Sequence, residues 1–199
     1  MFDSSALLDA MREEEALLEG HFLLSSGLHS DRYFQCARFL QHPELAAKAA
    51  QTLAKTLAKL EPQLVIGPAM GAVTFSYEVG RALGLRAFWT ERVDGIMAVR
   101  RGFRIEPGER VVVVEDVLTT GGSAREVVRV IEEHGGKVVA AASLVNRSGG
   151  NPFDDLGIPL VALADVQAKS WNPKECPMCA AGEPVVKPGS RPGLTQSGS

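Results

Sequence analysis

Val111-Val112-Val113-Val114-Glu115-Asp116-Val117-Leu118-Thr119-Thr120-Gly121-Gly122-Ser123 joins a run of β-branched residues to two acids and then to a small, hydroxyl-rich turn. Four consecutive valines suit a strand covered on both faces, as in a parallel sheet. Beyond the turn, Ala124, Val127, Val128 and Ile131 recur at helical spacing, so the turn lies between a strand and a helix, with Ser123 as the expected N-cap. A helix N-terminus presents backbone N–H groups and a partial positive charge, and glycines let that backbone approach an anion. Gly121 and Gly122 meet this need, and Thr119, Thr120 and Ser123 add hydroxyl donors. Glu115 and Asp116 are acceptors suited to the vicinal hydroxyls of a sugar beside that anion. The segment reads as a cradle for a ribose phosphate. The competing reading is an ordinary turn that ends a core strand and caps a helix.

Outward from this strand, the pattern alternates. Ser4 or Ser5 is the expected cap of a first helix whose apolar face runs through Leu7, Leu8 and Met11 and on to Leu17 and Leu18. His21 to Phe39 has the texture of a loop or short hairpin. Pro43 opens a helix reaching about Leu60, with Pro62 beyond its end. Leu64 to Gly67 is a short buried strand, followed by a helix through about Leu83 that Gly84 closes; Arg86 to Thr90 and Lys137 to Val145 are further strands. This alternation predicts an α/β fold, a parallel twisted sheet flanked by helices. Ligands of such sheets gather beyond the C-terminal strand ends. Four segments with polar or flexible chemistry follow strand ends there: 67–72, 90–102, 119–123 and 146–150.

Composition bounds the function. The chain has 199 residues, 45% of them hydrophobic and 23% charged, enough for one sizeable core. A net charge of -3 argues against a general nucleic-acid partner. No apolar run is long enough to span a bilayer, and acids rather than a basic segment mark the N-terminus, so a cytoplasmic setting without membrane partners is expected. Three cysteines, an odd number, fit a reducing compartment.

The 111–123 segment resembles the phosphoribosyl-diphosphate (PRPP) signature of the type I phosphoribosyltransferases: a hydrophobic strand, two acids, then a Thr/Gly/Ser loop. It is not a Walker-type loop, because no Gly-Lys-Ser or Gly-Lys-Thr follows. Within that family the chain is similar to the orotate-using branch. The residues that carry this are Phe22 to Phe34, with Ser25-Ser26-Gly27 and then Tyr33-Phe34; Gly67-Pro68-Ala69-Met70-Gly71; Arg147; and Lys187-Pro188-Gly189-Ser190-Arg191.

The resemblance implies a type I phosphoribosyltransferase fold. An N-terminal helix and hood segment (1–40) contributes to the base site, followed by a PRPP-binding core (41–165), a C-terminal hood segment (166–191) and a disordered tail (192–199). It implies transfer of the phosphoribosyl group of PRPP to orotate, with Mg2+ held mainly by PRPP rather than by protein side chains. Glu115, Asp116, Thr119, Thr120, Gly121, Gly122 and Ser123 would hold the ribose 5-phosphate, and Ala69, Met70 and Gly71 the diphosphate. Ser25, Tyr33, Phe34, Thr119 and Arg147 would hold orotate, a planar anion that suits an aromatic wall and an arginine fork. For Tyr33 and Phe34 the alternative is core packing, and for Arg147 the capping of a surface turn. The mobile loop of the family's best-known members carries several Lys and a His; here 91–102 has neither, leaving Arg92, with Arg100 and Arg101 in support, to neutralise the leaving diphosphate beside Asp116. A homodimer with loop residues shared between subunits is also implied.

Two other readings compete: a purine-base enzyme of the same chemistry, and a non-catalytic PRPP-binding regulator. Cys176-Pro177-Met178-Cys179 has the spacing of half a zinc site or of a redox pair. Its neighbourhood in sequence has no His, the four histidines being His21, His29, His42 and His134. Packing of a small C-terminal lobe is therefore the expected role.

Overall fold

The computed structural model describes residues 1–24 and 26–188. Its helices are α1 (Ser4–Glu13), α2 (Cys36–Leu40), α3 (Pro43–Leu57), α4 (Val73–Leu83), α5 (Gly122–Glu133) and α6 (Pro177–Ala180). Its strands are β1 (Leu17–Leu23), β2 (His29–Phe34), β3 (Leu64–Pro68), β4 (Arg86–Val93), β5 (Ile96–Val99), β6 (Arg110–Leu118), β7 (Lys137–Asn146), β8 (Leu160–Asp165) and β9 (Ser170–Trp171). Among the described residues these strands form two sheets, one in the order β5-β4-β3-β6-β7-β8 and one in the order β1-β2-β9.

The valine strand β6 lies inside the larger sheet and feeds two cores, because successive side chains of a strand point to opposite faces. Val112 and Val114 pack with Val65, Leu53 and Phe75 beneath α3 and α4. Val111 and Val113 pack with Leu64, Ile66 and Ile131 beneath α5. All ten of these side chains are at most 1% exposed, which is the two-sided burial that a run of valines demands.

Strands β3, β4, β6, β7 and β8 run parallel, while β5 is antiparallel to β4. The sheet is therefore mixed rather than wholly parallel. Part of the stretch expected to be flexible, 90–102, is a hairpin: β4 continues to Val93, the chain reverses at Asp94 and Gly95, both with positive φ, and β5 returns along the edge. From β3 the chain proceeds through α4 to β4 on one side, whereas β6 flanks β3 on the other. That reversal of strand order leaves a crevice at the C-terminal ends of β3 and β6.

Other elements depart from the sequence expectation in detail. The cap of α1 is Asp3, whose Oδ1 accepts the Ala6 N–H at 2.8 Å, rather than Ser4 or Ser5. Leu17 and Leu18 belong to β1, not to a helical face, since the chain leaves α1 through Glu15 at φ 50. The start of α5 is capped by the left-handed Gly121, and Ser123 sits inside its first turn. Pro43 in the first turn of α3 and Gly84 closing α4 at φ 69 match their expected roles. Strand β9 pairs with β2, so the N-terminal and C-terminal segments share the smaller sheet and form one hood. No described helix is long and apolar enough to cross a membrane.

Candidate functional site

At the C-terminal edge of the larger sheet, a cleft of about 370 Å³ is lined by Arg92, Glu115, Asp116, residues 117–123 and Glu126. Thr119 and Thr120 are exposed at its mouth, and Gly121 and Gly122 lead into the first turn of α5. Gly121 has φ 74, and a β-carbon there would lie 3.0 Å from the Pro152 ring, so both backbone and space demand glycine. The cleft thus combines hydroxyls, a glycine-rich turn and a helix N-terminus, which together suit an anion.

The loop after β3 closes in from the side. A β-carbon on Gly71 would lie 2.9 Å from Asp116 Oδ2, so the backbone of the 69–71 loop runs directly against the acid pair. The Ala69 N–H donates to the Thr90 carbonyl at 2.8 Å, which ties this loop to β4 as well; the Ala69–Met70 peptide is cis, and Met70 is exposed.

Both acids carry the mark of that enclosure. Burial, and then the charge of Asp116, push the Glu115 carboxyl up to about 8. Burial also raises Asp116, against the hydrogen bond that its Oδ1 accepts from the Val117 N–H at 2.8 Å. Among the described residues no cation offsets either group. A half-buried carboxyl pair in this condition is an acceptor site for hydroxyls and for a hard cation. The field of the pair reaches the hood: after burial, Asp116 is the next cause raising both Tyr33 and Cys36.

The basic residues divide between two places. Arg92 lines the cleft, where its guanidinium donates to both carboxylate oxygens of Glu126 at 2.6 and 2.8 Å and to the Gly95 carbonyl at 2.9 Å. Glu126, through hydrogen bonding and charge, drives Arg92 above even the usual arginine range, so Arg92 is a fixed cation. Arg100 and Arg101 lie outside the cleft lining and both pair with Glu91, at 3.7 and 2.9 Å. Adjacent residues of β4 point to opposite sides, so Glu91 holds these two on the face away from Arg92.

The hood residues divide in the same way. Tyr33 is half-buried, packs on Phe22, and donates its hydroxyl to Gln35 Oε1 at 3.0 Å. Phe34 is buried in the core cluster with Leu17 and Phe39, so it packs the interior instead of forming a wall for a base. Arg147 follows β7, its N–H bonded to the Leu118 carbonyl at 2.8 Å. Its guanidinium donates to Ser30 Oγ at 3.0 Å and to the Arg32 carbonyl at 3.4 Å, and burial lowers its pKa against the opposing charge of Asp31. It therefore connects core and hood rather than capping a surface turn. Ser25, and the Gly189-Ser190-Arg191 part of the tail motif, lie outside the described residues.

Sequence reasoning missed Glu126 and Ser30. The position of Glu126, on the helix that follows the acid pair, was a usable signal; Ser30 stands in the Phe22–Phe34 motif, but its pairing with Arg147, remote in sequence, could not be read there. It also missed that His21 and His29 meet Cys176 and Cys179 in the hood.

A family model described as phosphoribosyl transferase domain matches residues 35–158. The chain is 52% identical over 189 residues to the orotate phosphoribosyltransferase of Caldicellulosiruptor bescii, covering 95% of this chain and 98% of that one. It is 54% identical over 187 residues to that of Heliobacterium modesticaldum, covering 93% and 97%. Among solved structures it is similar to orotate phosphoribosyltransferase from Aeropyrum pernix, with a TM-score of 0.67 and 27% identity over 81% of this chain and 94% of that one. An adenine phosphoribosyltransferase from Rhodothermus marinus, 21% identical with a TM-score of 0.63 over 80% of this chain and 99% of that one, shares the fold.

Proposed function

Since the chain belongs to the phosphoribosyl transferase family, among its orotate phosphoribosyltransferases, we propose that it transfers the 5-phosphoribosyl group of PRPP to orotate, giving orotidine 5′-monophosphate and diphosphate. The observation that carries this reading is the approach of the Gly71 backbone to Asp116, which puts a diphosphate loop, an acid pair and a phosphate-binding turn around one cleft.

Residues 119–123 take the 5-phosphate, and Glu115 and Asp116 accept hydrogen bonds from the ribose hydroxyls. Departure of diphosphate leaves positive charge on the ribose ring, which the neighbouring carboxylates stabilise, while negative charge grows on the leaving group. Arg92 is the cation on the cleft wall that meets this negative charge; as an arginine it acts by its field and not by proton donation. Arg100 and Arg101 support it only if the hairpin moves, since Glu91 holds them elsewhere. Tyr33 and Arg147 provide the aromatic face and the cation for orotate. The acid pair also fits a neighbouring Mg2+, with hard oxygen donors and no cation of its own. Glu115 and Asp116 would help hold such an ion, which PRPP would mainly carry and which would supply charge neutralisation for the diphosphate.

The reading includes a cytoplasmic setting and a homodimer, the latter supported by the large apolar side chains Met70 and Tyr77, 81% and 63% exposed before and on α4. Mixing inactive Arg92→Ala and Asp116→Ala subunits assigns Arg92 to a cleft: recovered activity gives it to the partner's, and no recovery to its own.

Loss of orotate absorbance on adding PRPP and Mg2+ tests the activity, with adenine, guanine, hypoxanthine and uracil assayed in parallel for diphosphate release. Consumption of orotate alone is expected. Turnover of a purine would replace the proposed acceptor, and binding of PRPP without any turnover would make the chain a regulator.

A further inference from the structure

Four side chains from opposite ends of the chain converge in the hood, away from the cleft. His21 lies on β1 and His29 on β2, while Cys176 and Cys179 begin and occupy α6. One ligand atom from each lies within 4.8 Å of all the others. The Cys176 and Cys179 Sγ atoms are 3.5 and 3.6 Å from His21 Nε2, and Cys179 Sγ is 3.2 Å from His29 Nδ1. Zinc–sulfur bonds of about 2.3 Å and zinc–nitrogen bonds of about 2.0–2.1 Å, at tetrahedral angles, put ligand atoms roughly 3.3–3.8 Å apart. The two separations from His21 Nε2 fall inside that range, and the third, at 3.2 Å, lies just below it.

The surroundings select the same chemistry. His21, His29 and Cys176 are 5%, 6% and 2% exposed, so three of the four donors are withdrawn from solvent. The second ring nitrogen of His21, Nδ1, is 2.9 Å from the Glu183 carbonyl, which can only accept. Nδ1 therefore carries the proton and Nε2 presents its lone pair toward the two sulfurs, the arrangement that outer contacts of metal-bound imidazoles commonly enforce. His21 Nε2 and His29 Nδ1 are 2.7 Å apart, a hydrogen-bond distance, so both rings direct nitrogens into one small space and must part by roughly half an ångström to bind one zinc ion.

We propose that His21, His29, Cys176 and Cys179 form a structural zinc site that fastens the C-terminal segment to the N-terminal hairpin. Loading is balanced as Zn2+ plus two thiols and two neutral imidazoles going to a neutral Zn(Cys)2(His)2 centre and two released protons. All four positions are taken by protein, so the site is closed and structural rather than catalytic. Its reach is functional all the same. His29 precedes Ser30, which accepts from Arg147, and both His29 and Ser30 pair with β9, so the metal fixes the hood strand that meets the proposed base site. A second CxxC is not needed, because His21 and His29 of the hairpin supply the other two donors.

The test is metal analysis of the full-length protein purified without chelator, followed by thermal melting with and without a strong chelator. About one zinc per chain is expected, with the melting temperature lowered when zinc is withdrawn and restored when Zn2+ alone is returned. Cys179→Ser, at the more exposed ligand, should fold yet retain under a tenth of the zinc; Co2+ in place of zinc in the unaltered protein should give the intense visible bands of a tetrahedral thiolate site. A zinc content near zero that added Zn2+ does not raise, or a Cys176–Cys179 disulfide in protein kept under reductant, would overturn the proposal.

Discussion

Gly71 lies so close to Asp116 that a β-carbon at position 71 would sit 2.9 Å from the carboxylate Oδ2. Its φ is outside the range that other residues avoid, so alanine is excluded by the neighbour and not by the backbone. Gly71→Ala should therefore fold and displace the Asp116 carboxyl or the loop by a few tenths of an ångström or more. Misplacement on the scale of 1 Å costs on the order of 100-fold in rate. We expect kcat/KM for PRPP to fall by about 10- to 100-fold, while the melting temperature changes by only a few degrees. An unchanged kcat/KM would show that the loop and the acid pair do not share a substrate.

Arg92 and Glu126 form a two-pronged ion pair across the cleft wall, but Arg92 is 45% and Glu126 33% exposed. Such pairs contribute about 0–1 kcal/mol to stability, whereas loss of a group that stabilises developing charge costs roughly 100- to 1,000-fold in kcat. Arg92→Ala should accordingly melt near the wild-type temperature and lose kcat on that larger scale. Arg100→Ala and Arg101→Ala, whose partner is Glu91, should each stay within about threefold of wild type, since surface pairs couple weakly. Steady-state rates and melting curves on the three variants decide the matter; a kcat loss confined to Arg100 or Arg101 would transfer the role to the other face of β4.

The larger sheet and its crevice were legible because their signals are local. Val111 to Val114 encode two-sided burial in four adjacent positions, and Pro43 and Gly84 mark helix ends through backbone geometry. What was not legible depends on pairing partners. Leu17 and Leu18 extend an apolar pattern that fits a helix, and only the register with Phe34 and Tyr33 makes them a strand. The edge strand Ile96–Val99 is too short to announce itself, and exists by its bonds to β4. Phe34 was recoverable: adjacent strand residues face opposite ways, so Tyr33 and Phe34 could not both have lined one wall. His21 and Cys176 could not have been joined from spacing, being 155 positions apart.

Arg147 donates to Ser30 Oγ and to the Arg32 carbonyl while half-buried beside the hood. A hydrogen bond to a charged group contributes about 1.5–3 kcal/mol, and lysine has the charge but not the planar fork. Arg147→Lys should raise the KM for orotate by roughly 10- to 100-fold, by conversion of that energy, with the KM for PRPP little changed. Equal rises in both KM values would mean that Arg147 only holds the hood in place.

Glu115 is pushed up to about 8, by burial first and by the charge of Asp116 second, and this fixes the sign of a pH dependence. A carboxyl with an ordinary value of about 4.3 in the unfolded chain favours the folded state while protonated, so its contribution is fully present at low pH. That contribution is lost as the pH rises from about 4.3 through about 8, and above this the loss is complete. The ligand-free protein should thus melt lower near pH 9 than near pH 6, and Glu115→Gln, which cannot ionise, should flatten the decline. Activity should move the opposite way, because ribose hydroxyls and a Mg2+ neighbour favour the ionised pair: kcat/KM for PRPP climbs through the same window and levels off above it. Melting curves and kcat/KM measured across that range on wild type and Glu115→Gln separate the two effects. If the variant keeps the wild-type slope in stability, Glu115 is not the group that titrates.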